Sequence, residues 1–300
     1  MKDLIEELKN YADIEEDENL KKHTTFRIGG NAKYFIYPKS EIVLKEIFNI
    51  LEKHNIPHKI FGKGSNILCS DNDYEGAIIC LDRYFQDYYF EENNSCIVQA
   101  GASIILLAHE AMKNSLSGLE FASGIPGTLG GAIYMNAGAY KSDIAELVES
   151  VYVHINGENK WLNKEELEFS YRTSIFQKQQ EWIILGAKLI LKPAQQTDIL
   201  NLMDKRRKRR LESQPLTLPS AGSIFRNPNE ISAWEMIDKL GLRGYQIGGA
   251  QLSSKHPNFI VNINEAKASD VIELINKVQE EVKKQYNIEL KTEVEKFNWK

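Results

Sequence analysis

Two stretches of this chain carry residue types that suit a phosphate. The longer runs from Gly118 to Tyr140 (GLEFASGIPGTLGGAIYMNAGAY), with Gly118, Gly124, Gly127, Gly130, Gly131 and Gly138 set among small residues. Glycine allows φ > 0 and lets backbone N–H groups come close to a ligand. Successive N–H groups in such a turn form an anion site. Phe121, Ile125, Leu129, Ile133 and Met135 punctuate the run and require burial, so it does not read as a linker. The shorter stretch, Phe61-Gly62-Lys63-Gly64-Ser65-Asn66, follows a strand end at HKIF. Neither is a dinucleotide fingerprint, since Gly64 has no glycine three residues on, and neither ends in the Gly-Lys-Ser/Thr of a P-loop. Tight turns alone would account for either one. Together they point to one large diphosphate ligand gripped between two loops.

Other residues could do chemistry on such a ligand. Lys205–Arg210 (KRRKRR) reads as a solvated helix face, as a clamp on a nucleotide diphosphate, or as a nucleic-acid contact. Pro219–Pro228 (PSAGSIFRNP) is a small-residue turn stiffened by prolines, with Ser223 held before an Ile-Phe anchor. It has no Gly-x-Ser-x-Gly elbow and no adjacent histidine, which disfavours Ser223 as a nucleophile. Proton donation, or a turn serine bonding its own backbone, remains. Arg172 stands among aromatics and hydroxyls in FSYRTSIF, and a half-buried arginine there calls for a carboxylate or an anion. In Ile288–Val294, read as a strand, Ile288, Leu290 and Val294 alternate with Glu289, Lys291 and Glu293. Glu293 then lies on the polar side, facing either solvent or a cleft.

The elements that must position these groups follow from periodicity. A helix carries Leu4, Ile5, Leu8 and Tyr11, and a strand covers 32–37. Ser40 caps a helix buried through Val43, Leu44, Ile47, Phe48 and Leu51. Strands follow at 59–61, 77–81, 84–90 and 97–100, then a helix opened by Ser103. Long strands at 147–155 and 182–191 precede a helix capped by Thr197. The remainder holds helices at 231–240 and 269–285 and a strand at 259–263. These divide the chain into residues 1–80, 81–195 and 196–300.

Composition narrows the function. The chain has 300 residues, 42% of them hydrophobic, and a net charge of −5, which argues against a general nucleic-acid binder. No apolar run approaches a membrane span, and the acidic first twenty residues do not read as a signal peptide. Cys69, Cys80 and Cys96 lack CxxC spacing and suit a reducing compartment. Pro57 between His54 and His58 argues against a zinc pair, and no metal is expected.

The motifs GKGSN (62–66), SGIPGTLGGAIYMNAGAY (123–140), FSYRTSIF (169–176), PSAGSIFRNP (219–228) and the glutamate in LKTEVE (290–295) occur in an order that resembles the UDP-N-acetylenolpyruvoylglucosamine reductases of peptidoglycan precursor synthesis. The resemblance extends from HTTFRIGG (23–30) to Glu293. It implies an α+β fold: a two-part FAD-binding domain of the vanillyl-alcohol-oxidase/PCMH type plus a C-terminal α/β substrate-binding domain. It further implies non-covalent FAD, NADPH as co-substrate, the enolpyruvyl ether of UDP-N-acetylglucosamine as substrate, and a cytoplasmic location. Arg172, Ser223 and Glu293 become the expected catalytic residues, with Glu293 acting as a protonated donor. The cofactor would lie on Gly62, Lys63, Gly64, Ser65, Asn66, Gly124, Ile125, Pro126, Gly127, Thr128, Gly130, Gly131, Ala132, Asn136, Ala137 and Gly138. The substrate would meet Arg206, Arg210, Arg226, Asn227 and Gln251. Two departures stand out. The stretch from Phe176 to Ser223 leaves no room for the tyrosine-bearing insert of one branch of that family, and Arg226 occupies an expected lysine position. A flavin oxidase of small alcohols and a non-catalytic nucleotide or RNA binder are the competing readings.

Overall fold

The structure is a computed structural model that describes residues 2–228 and 231–299. The chain forms two compact units, and both are discontinuous. The first comprises Met1–Glu16, Tyr34–Lys63 and Glu75–Lys208; the second comprises Asp17–Lys33, Gly64–Tyr74 and Arg209–Lys300. This partition cuts across the contiguous division at 80/81 and 195/196 read from the sequence. Phe26, Ile28 and Leu68 lie far back in the chain, yet each is buried in the core of the second unit.

In the first unit, a five-stranded antiparallel sheet is ordered Glu158–Asn163, Val148–Ile155, Ile183–Ile190, Ser95–Gln99, Tyr88–Phe90. Val148, Val151, Val153, Ala187, Leu189, Cys96 and Val98 supply its inward side. A four-stranded sheet is ordered Ala12–Asn19, Asn31–Pro38, Tyr74–Cys80, His58–Phe61, with the last two strands parallel. The helix Leu44–Lys53 buries Leu44, Ile47, Ile50 and Leu51. Ser40 does not cap it: the helix begins one turn later, after Val43. The helix Ile104–Lys113 is capped as expected, Ser103 accepting from the Leu106 N–H. The expected strand at 84–90 shrinks to Tyr88–Phe90, because the chain turns where the Phe85 N–H donates to the Leu81 carbonyl.

The second unit packs the helix Ala268–Tyr286 through Val271, Leu274, Ile275, Val278 and Val282. That spacing places them on one helix face. With it lie the helix Ala233–Lys239 and a three-stranded sheet, Gln246–Ile247, Ala250–Leu252 and Ile260–Asn262. The helix Gln196–Ser213 begins before Thr197, which lies within it and is not its cap. The expected strand over 288–294 is not one. Its burial alternates, but only Thr292 pairs, with Phe225, and the regular strand is Glu295–Phe297, parallel to Ile67–Cys69.

Burial holds the imidazoles of His58 and His256 below their ordinary range. At His256 the Arg243 guanidinium adds to this, against an opposing backbone hydrogen bond. The folded chain therefore favours neutral imidazole. Stability is present above the unfolded pKa of about 6.5 and falls as the pH drops towards the folded value. We expect the unfolding midpoint to decrease between about pH 7.5 and 5.5. His256→Phe, which preserves a ring against Phe259, should flatten that decrease in a thermal melt series.

Candidate active site

In the first unit the two glycine stretches meet. A Cβ on Gly62 would lie 2.6 Å from the Thr128 hydroxyl oxygen, so only glycine allows the shorter loop to rest there. Thr128 is buried and accepts from the Gly131 N–H, starting the short helix Leu129–Tyr134. Gly130 lies close to Ala100, and a Cβ on Gly138 would strike the Ser142 carbonyl at 2.5 Å. Gly131 is different. It is exposed, its φ is ordinary, and a Cβ there would meet only the Thr128 hydroxyl, at 3.5 Å. Packing does not require glycine at 131. A helix is weakened by glycine relative to alanine, so its presence suits a ligand pressed against the backbone. Gly124, Gly127 and Ala137 are half-buried. Lys63 reaches Asp82 at 3.5 Å. Cys80 lies beneath this loop, its Sγ 3.9 Å from the Gly62 carbonyl. Burial pushes its thiol, like those of Cys69 and Cys96, well up from the ordinary range, so all three stay protonated.

Arg172 sits on a two-residue turn closed by paired hydrogen bonds between Ser170 and Thr173, both 3.0 Å. Its φ of 56° is one that this turn position normally gives to glycine. Strain of this kind persists only where the surroundings enforce it. Here the Gln177 amide donates to the Arg172 carbonyl at 3.0 Å and also to the Tyr134 carbonyl at 3.1 Å. The guanidinium donates to the Gly138 carbonyl at 2.6 Å and the Asn136 carbonyl at 3.4 Å, and lies 5.2 Å from the Tyr171 ring centre. Two main-chain oxygens thus take part of the donor capacity that the sequence reading had assigned to a carboxylate or anion.

In the second unit, residues 223–226 are bonded to two other segments on alternate residues. Ser223 pairs with Phe259, the Ile224 N–H donates to the Asn258 carbonyl, and the Arg226 N–H donates to the Lys291 carbonyl. Ser223 therefore sits on an isolated bridge between bends at Gly222, whose φ is 78°, and Ile224. Ile224 and Phe225 anchor it, both essentially fully buried. The Glu293 N–H donates to the Ile224 carbonyl at 2.7 Å, which sets Glu293 opposite Ile224, one residue along the chain from Ser223. The shorter glycine stretch completes this arrangement: the Asn66 amide donates to the Glu293 carbonyl at 3.0 Å, and the Glu295 N–H to the Asn66 carbonyl at 2.9 Å. Gly64 has φ 57°, and a Cβ there would lie 2.1 Å from the His23 carbonyl oxygen. The Thr25 hydroxyl donates to the Ser220 carbonyl. The motif at 23–30 is thereby joined to the serine segment.

Sequence reasoning missed the groups that hold this segment in place. Asn258, buried, accepts from the Phe225 N–H and donates to the Phe225 carbonyl. Asn262 donates to the Phe26 carbonyl and accepts from the Ala266 N–H. Buried amides must be paired, but a lone asparagine in a sequence does not reveal its partners. Of the expected substrate residues, Arg226 and Gln251 are half-buried, and Asn227 accepts from the Ala233 N–H at 3.0 Å. Among Lys205–Arg210, only Arg206 and Arg210 are partly covered, four residues apart on one helix. Arg206 lies over the Tyr140 ring at 5.0 Å, and the Tyr140 hydroxyl donates to its carbonyl.

Comparison with known proteins adds to this geometry. A family profile described as the C-terminal domain of UDP-N-acetylenolpyruvoylglucosamine reductase matches residues 214–297, and an FAD binding domain profile matches residues 32–157. The UDP-N-acetylenolpyruvoylglucosamine reductase of Anoxybacillus flavithermus is 44% identical over 298 residues, covering 98% of each chain. That of Bacillus subtilis is 40% identical over the same length, again covering 98% of each. The crystal structure of UDP-N-acetylenolpyruvylglucosamine reductase from Thermus caldophilus superposes with a TM-score of 0.80 at 34% identity, covering 95% of this chain and 98% of that one.

Proposed function

Because the chain belongs to the UDP-N-acetylenolpyruvoylglucosamine reductase family, we propose that it reduces the enolpyruvyl ether of UDP-N-acetylglucosamine to UDP-N-acetylmuramate with NADPH as electron donor. It is an FAD-dependent oxidoreductase. The observation that carries the reading is the open backbone at Gly131, beside a Gly62–Thr128 contact that packing alone explains. FAD fits this site, where Gly62, Gly127, Gly130 and Gly131 would hold its pyrophosphate. When bound, it supplies the two-electron carrier that accepts a hydride from NADPH and passes it to C3 of the enolpyruvyl group.

The protein's own groups then handle charge and a proton. Hydride arriving at C3 leaves negative charge at C2, shared with the substrate carboxylate. The Arg172 guanidinium, preset by its strained turn, attracts that charge. The Glu293 carboxyl, protonated, donates a hydrogen bond to it. Preorganised groups of this type contribute about 3–4 kcal/mol each. The Ser223 hydroxyl delivers the proton to C2, completing the lactyl ether, and takes a proton back from solvent. Arg226, Asn227 and Gln251 contact the sugar nucleotide in this reading, and the reaction takes place in the cytoplasm. Among the described residues no helix is long and apolar enough to cross a membrane.

Anaerobic titration tests the proposal. NADPH should bleach the absorbance near 450 nm, and the enolpyruvyl sugar nucleotide should restore it mole for mole. A protein that purifies without flavin, or one whose bleached form ignores the sugar nucleotide, would count against it. Arg206 and Arg210 would meet the diphosphate in this reading. Replacing both with glutamine should raise KM for the sugar nucleotide roughly tenfold or more at low salt. The difference should narrow as ionic strength rises.

A further inference from the structure

We propose that Asn136 is the positioning residue for Arg172, acting through main-chain contacts and not as a ligand of the cofactor. The inference rests on the reading of Arg172 given above. Asn136 is 3% exposed, and its side chain is engaged with protein. Its Nδ2 donates to the Ser170 carbonyl at 2.9 Å, gripping the first residue of the turn that carries Arg172. Its Oδ1 accepts from the Ala145 N–H at 3.1 Å, fixing the far end of the loop that starts at 137. Its own carbonyl accepts from Arg172 Nη1. Its φ of 41° swings the chain out of the helix Leu129–Tyr134 and into Gly138–Ala139, where the Gly138 carbonyl receives Nη2.

One amide thus joins three segments, and the one that runs from Asn136 to Gly138 presents both oxygens that aim the guanidinium. Two non-glycine residues with left-handed backbone, Asn136 and Arg172, face each other across these bonds. Asparagine tolerates that conformation better than most residues. Its two-ended side chain can satisfy a carbonyl and an N–H at once, whereas aspartate offers only acceptors at neutral pH. Asn136→Asp therefore removes the grip on Ser170 while keeping the bond from Ala145. Asn136→Gly removes both and still permits the backbone.

The test is a double-mutant cycle on the holoenzyme, read as the rate at which the enolpyruvyl sugar nucleotide restores flavin absorbance. Arg172→Ala should slow this step by about 10²–10³-fold. Asn136→Asp and Asn136→Gly should each slow it by roughly tenfold or more in the native background, and less than about twofold when Arg172 is already alanine. Flavin content should stay stoichiometric, and amide exchange across 169–177 should speed up. The Asn136 amide also donates to the Asp143 carboxylate at 3.4 Å; if Asn136→Asp fails to fold because its charge meets Asp143, Asn136→Gly carries the same cycle. Flavin loss with unchanged exchange at 169–177 would overturn the inference and make Asn136 a cofactor ligand. Multiplicative effects of the two substitutions, with Arg172→Ala itself impaired, would overturn the inference alone. A fully active Arg172→Ala would remove the reading of Arg172 and this inference with it.

Discussion

Ser223→Ala enzyme is expected to lose its absorbance near 450 nm on NADPH addition as fast as the native protein, and then to recover it about 10²–10⁴ times more slowly with the enolpyruvyl sugar nucleotide. Rapid mixing with each reactant in turn measures the two rates separately. The substitution removes one oxygen from a segment whose fixation does not depend on it. Ile224 and Phe225 stay buried, Asn258 still pairs with Phe225, and Glu293 still donates to the Ile224 carbonyl. The unfolding midpoint should therefore hold, which separates a missing proton donor from a damaged site. A serine is a weak acid and serves only against a strongly basic carbon held in line with it. Recovery at the native rate would mean that water or another side chain brings the proton.

Gly131→Leu is the second large effect. We expect the purified protein to be colourless, with FAD affinity reduced by about 10²-fold or more, the equivalent of roughly 3 kcal/mol. The apoprotein should melt no lower than native apoprotein. A Cβ at 131 touches only the Thr128 hydroxyl, at an ordinary 3.5 Å, and leucine favours a helix more than glycine does. Gly138→Ala makes the contrast. There the added carbon would meet the Ser142 carbonyl oxygen at 2.5 Å, so the fold itself should suffer. Flavin titration and calorimetry on both variants distinguish a glycine kept for a ligand from one kept for packing. A yellow Gly131→Leu protein would reduce the whole run to a packing motif.

Much of this was legible in the residues. The helices that bury Leu44, Ile47 and Leu51, and Val271, Leu274 and Val278, announce themselves by their spacing. Ser103 marks its helix start because a side-chain cap is a local event. The segment 288–294 misleads because any extended chain resting on a core alternates with a period of two, whether or not neighbours pair along it. Ser40 and Thr197 mislead because a hydroxyl near a helix start need not be the one that caps it. The two-unit partition was not legible at all. Nothing in His23–Gly30 states that Phe26 and Ile28 will be covered by side chains more than two hundred residues later. The resemblance puts Asn136 among the cofactor residues. Its amide partners, Ser170 and Ala145, are set by tertiary structure and have no local signature.

The discontinuous second unit has a consequence during biosynthesis. Phe26, Ile28 and Leu68 leave the ribosome early, but Ile260, Leu274 and Val278, which share their core, are among the last to emerge. At cellular elongation speeds the early trio waits roughly 10–40 s without shelter. A nascent polypeptide in that state is a natural client for a holdase. Ending the chain just after Lys208 should yield insoluble product, even though every residue of the first unit would by then be present.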